Sequence, residues 1–150
     1  MAESKINVYK NPNIYTINNY LTKSDCEHII NISKNNIKQA LVSGNEKGYI
    51  SEGRTGKNCW IKHNYDEITL RVANKIAEQV GIPLENAEAF QVIHYDKSEE
   101  YKQHYDGWLF DGSEKSRRNM KYGGQRMVTS LVYLNDVESG GGTKFTKLNL

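Results

Sequence analysis

The triplet His104-Tyr105-Asp106 sets an imidazole and a carboxylate two residues apart. On an extended strand alternate residues point to one face, so both side chains can reach a single cation. A second histidine from elsewhere would complete the two-histidine, one-carboxylate triad of non-haem iron sites. That triad leaves three metal positions open, two for a chelating 2-oxo acid and one for dioxygen. The triplet is short, and the chain carries its twin at His94-Tyr95-Asp96. For either histidine the alternative is a half-buried strand residue bonded to a neighbour.

The elements that must position these groups change character along the chain. Residues 14–17 read as a short extended segment leading into Leu21. Ser24 followed by Glu27 has the form of a capping box, opening a helix with Cys26, Ile29, Ile30, Ile37, Ala40 and Leu41 on or near one face. Residues 44–56 are a polar, glycine-punctuated loop. A second helix is predicted from an Asn64 cap, with Ile68, Val72, Ile76 and Val80 at four-residue spacing and Gly81 and Pro83 as the stop. Beyond it the period falls to two, and residues 89–95 and 126–134 are predicted strands. Between them, residues 111–125 form a charged, glycine-bearing loop, placed where a mobile lid is expected. Gly140, Gly141 and Gly142 turn the chain into a short strand at 143–145. Helices first and strands later make an α+β fold in a single domain spanning residues 1–150.

Composition excludes more than it selects. The 150 residues are 37% hydrophobic and 25% charged, the balance of a soluble domain able to bury a core. A net charge of +2, with the basic residues dispersed, gives no basis for nucleic-acid or membrane binding. No run approaches the roughly 20 apolar residues of a membrane span, and residues 1–10 lack the apolar centre of a secretory signal. Cys26 and Cys59 form neither a metal motif nor a disulfide framework. The expected setting is therefore intracellular and soluble.

Longer stretches carry a resemblance. Phe90-Gln-Val-Ile-His-Tyr95, then Tyr101-Lys-Gln-His104-Tyr-Asp106, Gly123-Gly-Gln-Arg126, Thr129-Ser-Leu-Val-Tyr133-Leu-Asn-Asp-Val137 and Gly141-Gly-Thr143-Lys-Phe145 follow in order. Together they resemble the prolyl 4-hydroxylase family of Fe(II), 2-oxoglutarate-dependent dioxygenases. Residues 18–25, Ser51-Glu-Gly-Arg54-Thr and Gly81-Ile-Pro83 are similar to the same family. The match covers the N-terminal two-thirds of its catalytic domain.

That resemblance implies a fold and a site. N-terminal helices would pack on a double-stranded β-helix (jelly-roll) core, its barrel incomplete because the chain ends early. His104, three residues after a tyrosine, and Asp106 would be the iron ligands, in preference to His94. Tyr95 and Thr143 would contact 2-oxoglutarate, with Tyr133 lining the same cavity; packing in the barrel interior is the alternative for Tyr133. Arg54, Trp60, Glu88, Tyr101 and Arg126 would line the channel for a proline-rich or collagen-like peptide. Aromatic faces suit the pyrrolidine rings of such a strand, and Arg or Glu can fix its backbone. The competing reading puts Trp60 in the core and both arginines in surface ion pairs.

The implied reaction is procollagen-proline 4-dioxygenase-like: hydroxylation of peptidyl proline, with release of succinate and CO2 and with ascorbate as a further requirement. No histidine follows His104. The family's distal iron ligand and the basic residue for the far carboxylate of 2-oxoglutarate fall later, so these 150 residues alone are expected to be inactive. Alternatives are an inactive module that binds proline-rich peptide, a hydroxylase of lysine or a free amino acid, and a hydrolytic metal site. The last needs more clustered ligands than the chain offers.

Overall fold

A computed structural model describes residues 3–44, 47–121 and 123–150. The loops expected at 44–56 and 111–125 include positions 45, 46 and 122, which lie outside the described residues. The chain begins with a hairpin, β1 (Ser4–Tyr9) and β2 (Ile14–Asn18), followed by α1 (Lys23–Ser33). Short strands β3 (Lys38–Gln39), β4 (Val42–Ser43) and β5 (Gly48–Tyr49) precede β6 (Lys57–Ile61) and α2 (Glu67–Val80). A 3-10 turn (Leu84–Asn86) leads into β7 (Phe90–His94), and α3 (Glu114–Met120) comes last.

Both long helices start two residues away from the expected caps. For α1 the cap is Thr22, whose hydroxyl accepts from Asp25 N at 3.2 Å while Asp25 Oδ2 accepts from Thr22 N at 3.4 Å. The predicted Ser24 and Glu27 box gives way because Asp25 is drawn into a bidentate pair with Arg71 of α2, at 2.7 and 3.3 Å. For α2 the cap is Asp66 rather than Asn64, in a reciprocal box with Thr69. Helix α1 also ends earlier than its apolar pattern suggests. The run Lys34-Asn35-Asn36 breaks it, since asparagine favours turns over helix interiors, and Ile37, Ala40 and Leu41 lie past its end. At the far end of α2, Gly81 takes φ 69°, the left-handed cap that glycine adopts without strain.

The central sheet has the order β3-β6-β7, all antiparallel, with Cys59 opposite Val92 and Ile61 opposite Phe90. Alternation along β6 sends Cys59 and Ile61 inward and Trp60 outward. Ile29 of α1 and Val72 of α2 close over Cys59, Ile61 and Val92 to make the core, with Ile68, Ile76, Phe90 and Leu134 around it. The fold is thus α+β: helices against small antiparallel sheets, with no closed barrel among the described residues. Among the described residues no helix is long and apolar enough to cross a membrane.

Two expectations fail in the C-terminal half. Residues 126–134 and 143–145 pair with no strand among the described residues. A ladder requires a neighbour with free N–H and C=O groups, and none lies alongside. The period of two nevertheless survives at 131–134, where Val132 and Leu134 are half-buried and Leu131 and Tyr133 exposed. The expected loop at 111–125 instead contains α3. Ser113 caps it by accepting from Ser116 N at 3.1 Å, and Arg118 donates to Gly44 O at 2.7 Å, docking it beside β4.

Candidate metal site

Residues 95–106 reach the site through a turn and a zipper. Asp96 and Glu99 close the turn after β7, with Asp96 N donating to Glu99 Oε2 at 2.8 Å. The chain then runs beside residues 53–55: Thr55 N donates to Glu100 O, and Lys102 N to Gly53 O, at 3.0 and 2.9 Å. Arg54 and Tyr101 face each other in that bridge. Beyond it the backbone is irregular, so His104 and Asp106 do not sit on a strand as expected.

Their side chains nonetheless meet. The Lys102 carbonyl, which can only accept, lies 2.7 Å from His104 Nδ1, so Nδ1 carries the proton. His104 Nε2 then faces Asp106 Oδ1 at 3.2 Å. Two lone pairs this close repel unless a proton or a metal cation lies between them. Adjacent ligands at ~2.1 Å from an octahedral ion are ~3 Å apart, close to this spacing. The Tyr101 ring stacks on the His104 imidazole at 3.5 Å between centroids and 16° between planes. Thr129 donates its hydroxyl to Asp106 Oδ2 at 2.6 Å.

The twin triplet is wired differently. His94 Nε2 lies 3.1 Å from Asp96 Oδ1, but Asp96 Oδ2 is 2.5 Å from the Lys57 ammonium. That ammonium holds the Asp96 carboxyl below the usual range and would repel a metal. The other histidines are also engaged: His28 bonds Asp66 at 2.6 Å, and His63 packs edge-on against Phe90.

The remaining expected site residues fall into three groups. Arg54 is buried; it donates to Leu41 O at 2.9 Å and to Gln91 Oε1 at 3.0 Å, and its guanidinium lies 4.7 Å from the Tyr101 ring. Its Nε has no hydrogen-bond partner among the described residues. Trp60, directly across the ladder from Gln91, shares that outer face and is 54% exposed, so it is not a core residue. Burial raises the Tyr95 phenol pKa, partly offset by the nearby Arg54 charge. The Tyr95 ring presses on buried Gly56, where an added Cβ would meet it at 2.4 Å.

A second group surrounds Asp106. Arg126 and Glu88 form a two-point ion pair, one contact of 2.6 Å between Nη2 and Oε2 and a second through Nε. Arg126 also donates to the Asp106 carbonyl at 3.2 Å and stacks on Trp108 at 4.0 Å. In the third group Tyr133 and Thr143 share a hydrogen bond of 2.9 Å. Among the described residues no hydrogen bond or ring contact joins that pair to Tyr95.

Relatives with names narrow the reading. The chain is 33% identical over 141 residues to "Probable prolyl 4-hydroxylase 3" of Arabidopsis thaliana, covering 93% of this chain and 47% of the relative. It is 35% identical to "Probable prolyl 4-hydroxylase 8" and 34% identical to "Prolyl 4-hydroxylase 5" of the same plant, in each case over 89% of this chain and 45% of the relative. The chain belongs to the prolyl 4-hydroxylase family. It spans about half the length of the curated relatives it matches. No protein-family model matches it.

In this chain His104 and Asp106 offer two donors of the nitrogen-and-carboxylate type that ferrous iron takes. Among the described residues no third His, Cys, Asp or Glu gathers with them. Several partners in the site went unassigned by sequence reasoning. Thr129 stood in a quoted motif without a role of its own. Gln91, Trp108 and Lys57 act through contacts distant in sequence, and no local pattern marks them.

Proposed function

We propose that this chain is part of a single prolyl 4-hydroxylase-like dioxygenase domain, residues 1–150, built on a jelly-roll core. Its intact parent hydroxylates peptidyl proline at the 4-position with Fe(II), dioxygen and 2-oxoglutarate, releasing succinate and CO2. The observation that carries this reading is the facing of His104 Nε2 and Asp106 Oδ1 at 3.2 Å, without a competing ammonium among the described residues, in a chain whose relatives are named prolyl 4-hydroxylases.

His104 and Asp106 would hold the iron, which supplies the oxidising chemistry when bound; ascorbate is the expected reductant. Tyr95, Tyr133 and Thr143 are the hydroxyls assigned to 2-oxoglutarate. With its pKa raised by burial, the Tyr95 phenol keeps its proton at neutral pH and can donate to a carboxylate. Arg54, Trp60, Glu88, Tyr101 and Arg126 are assigned to the groove for a proline-rich peptide. Trp60 offers an exposed ring face, while the Glu88 and Arg126 pair presents a neutralised edge.

Succinate production tests this reading, with ferrous iron, ascorbate and a proline-rich peptide, from this chain and from one extended through a distal histidine. The extended chain should turn over and the 150 residues should not. Peptide-dependent turnover by the short chain would move the ligand assignment to His28, His63 or His94. The alternative reading is an inactive module that binds proline-rich peptide. Metal-independent peptide binding, with neither chain producing succinate, would establish that reading instead.

A further inference from the structure

We propose that Thr129 is a positioning residue that ties one oxygen of Asp106 so that the other alone faces the cation position beside His104. This rests on the metal-site reading above. A carboxylate can bind a cation through one oxygen or chelate it through both. Asp106 Oδ2 accepts from the Thr129 hydroxyl at 2.6 Å, and Asp106 Oδ1 faces His104 Nε2 at 3.2 Å. The two oxygens therefore have separate duties before any metal binds. Ligation through one oxygen uses one metal position, and chelation uses two.

The chain contains its own comparison. Asp96 is divided in the same way, Oδ1 toward His94 and Oδ2 toward a donor, but that donor is the Lys57 ammonium. An ammonium fixes the carboxylate and also neutralises it. A hydroxyl fixes it and leaves the full charge for a cation. Thr129 is exposed, so its hydroxyl has no burial penalty to satisfy. The segment that carries it also supplies Arg126, which holds the Asp106 backbone carbonyl at 3.2 Å. Asp106 is thus fixed at its main chain by residue 126 and at its side chain by residue 129. Partners of this kind typically change metal affinity by about 10- to 100-fold when removed.

Co(II) alone serves as the probe, with this chain and its Thr129→Val, Thr129→Ser and His104→Ala variants. Thr129→Val keeps the branched shape and removes the donor. It should weaken Co(II) binding about tenfold and shift the infrared carboxylate stretches from one-oxygen toward two-oxygen ligation. Thr129→Ser should restore both affinity and band positions, which packing alone would not explain. His104→Ala should abolish binding. Unchanged affinity and infrared bands in Thr129→Val, with binding lost in His104→Ala, would overturn the role of Thr129 and leave the metal site standing. Unaltered Co(II) binding in His104→Ala would overturn the metal site and the proposal together.

Discussion

The Lys57 ammonium lies 2.5 Å from Asp96 Oδ2, and this contact separates two triplets that read alike. A divalent ion between His94 and Asp96 would sit within a few ångströms of that positive charge. The repulsion disfavours a cation there, and salt should weaken it because the lysine is exposed to solvent. Mn(II) added to this chain should therefore broaden the ring resonances of His104 and spare those of His94. Lys57→Met should admit a second ion at His94. Broadening of His94 first, in the unmodified chain, would mean that the wrong triplet has been chosen.

Acid should loosen the contact between α1 and α2. The hydrogen bonds from Arg71 hold the Asp25 carboxyl at about 2, below its ordinary value of 3.8. A carboxyl depressed in the folded state stabilises the fold above its unfolded value, and that contribution disappears as pH falls from about 4 toward 2. Its size is ~1–2 kcal/mol, since the guanidinium is partly exposed and screened. Urea denaturation between pH 6 and pH 2 should show this slope. Asp25→Asn should flatten it, and an unchanged slope in that variant would assign the acid sensitivity elsewhere.

Packing and backbone make distinct demands on the helices. Ile29→Ala, which empties a buried site against Cys59 and Val72, should cost about 2–5 kcal/mol. Gly81→Ala places a side chain in the left-handed region and should cost about 1 kcal/mol. Equilibrium unfolding of the two variants compares them directly. A smaller loss for Ile29→Ala than for Gly81→Ala would show that the helices are not anchored through this core.

Gly56 and Tyr95 should be strongly coupled. A methyl group at position 56 would collide with the ring and approach the His94 carbonyl at 3.1 Å. Gly56→Ala should lose about 1–3 kcal/mol of stability, and much of that loss should vanish in a Tyr95→Ala background. Additive effects across this double-mutant cycle would show that ring and glycine do not touch in solution.

How far the sequence was legible depends on how local each feature is. Helix α2 is legible because Ile68, Val72 and Ile76 repeat and Gly81 stops them; all of that information lies within one segment. Its cap was misplaced because Asp66 is completed by Thr69, not by the Glu or Gln the usual pattern seeks. Helix α3 has no apolar stripe and is held by Ser116 and contacts to residues 43 and 44, so its charges resembled a loop. Residues 126–134 carry strand periodicity, but a ladder belongs to two segments at once. His104 and Asp106 were expected to meet on a strand face, and they meet instead on irregular backbone. The partners that distinguish this pair from its twin lie 23 and 39 residues away, at Thr129 and Lys57, beyond any local pattern.

Gln125 grips Trp108 at two points, accepting from its amide at 2.6 Å and donating to its carbonyl at 2.7 Å. The intervening segment is thereby closed at its neck, with Asp106 just before the closure and Arg126 just after it. Such a segment behaves as a cassette. Its length and composition can change while the neck keeps the flanking residues in register, because lengthening a closed loop costs little additional entropy. Shortening or exchanging residues 109–124 should therefore retune what approaches His104 without dismantling the pair it forms with Asp106.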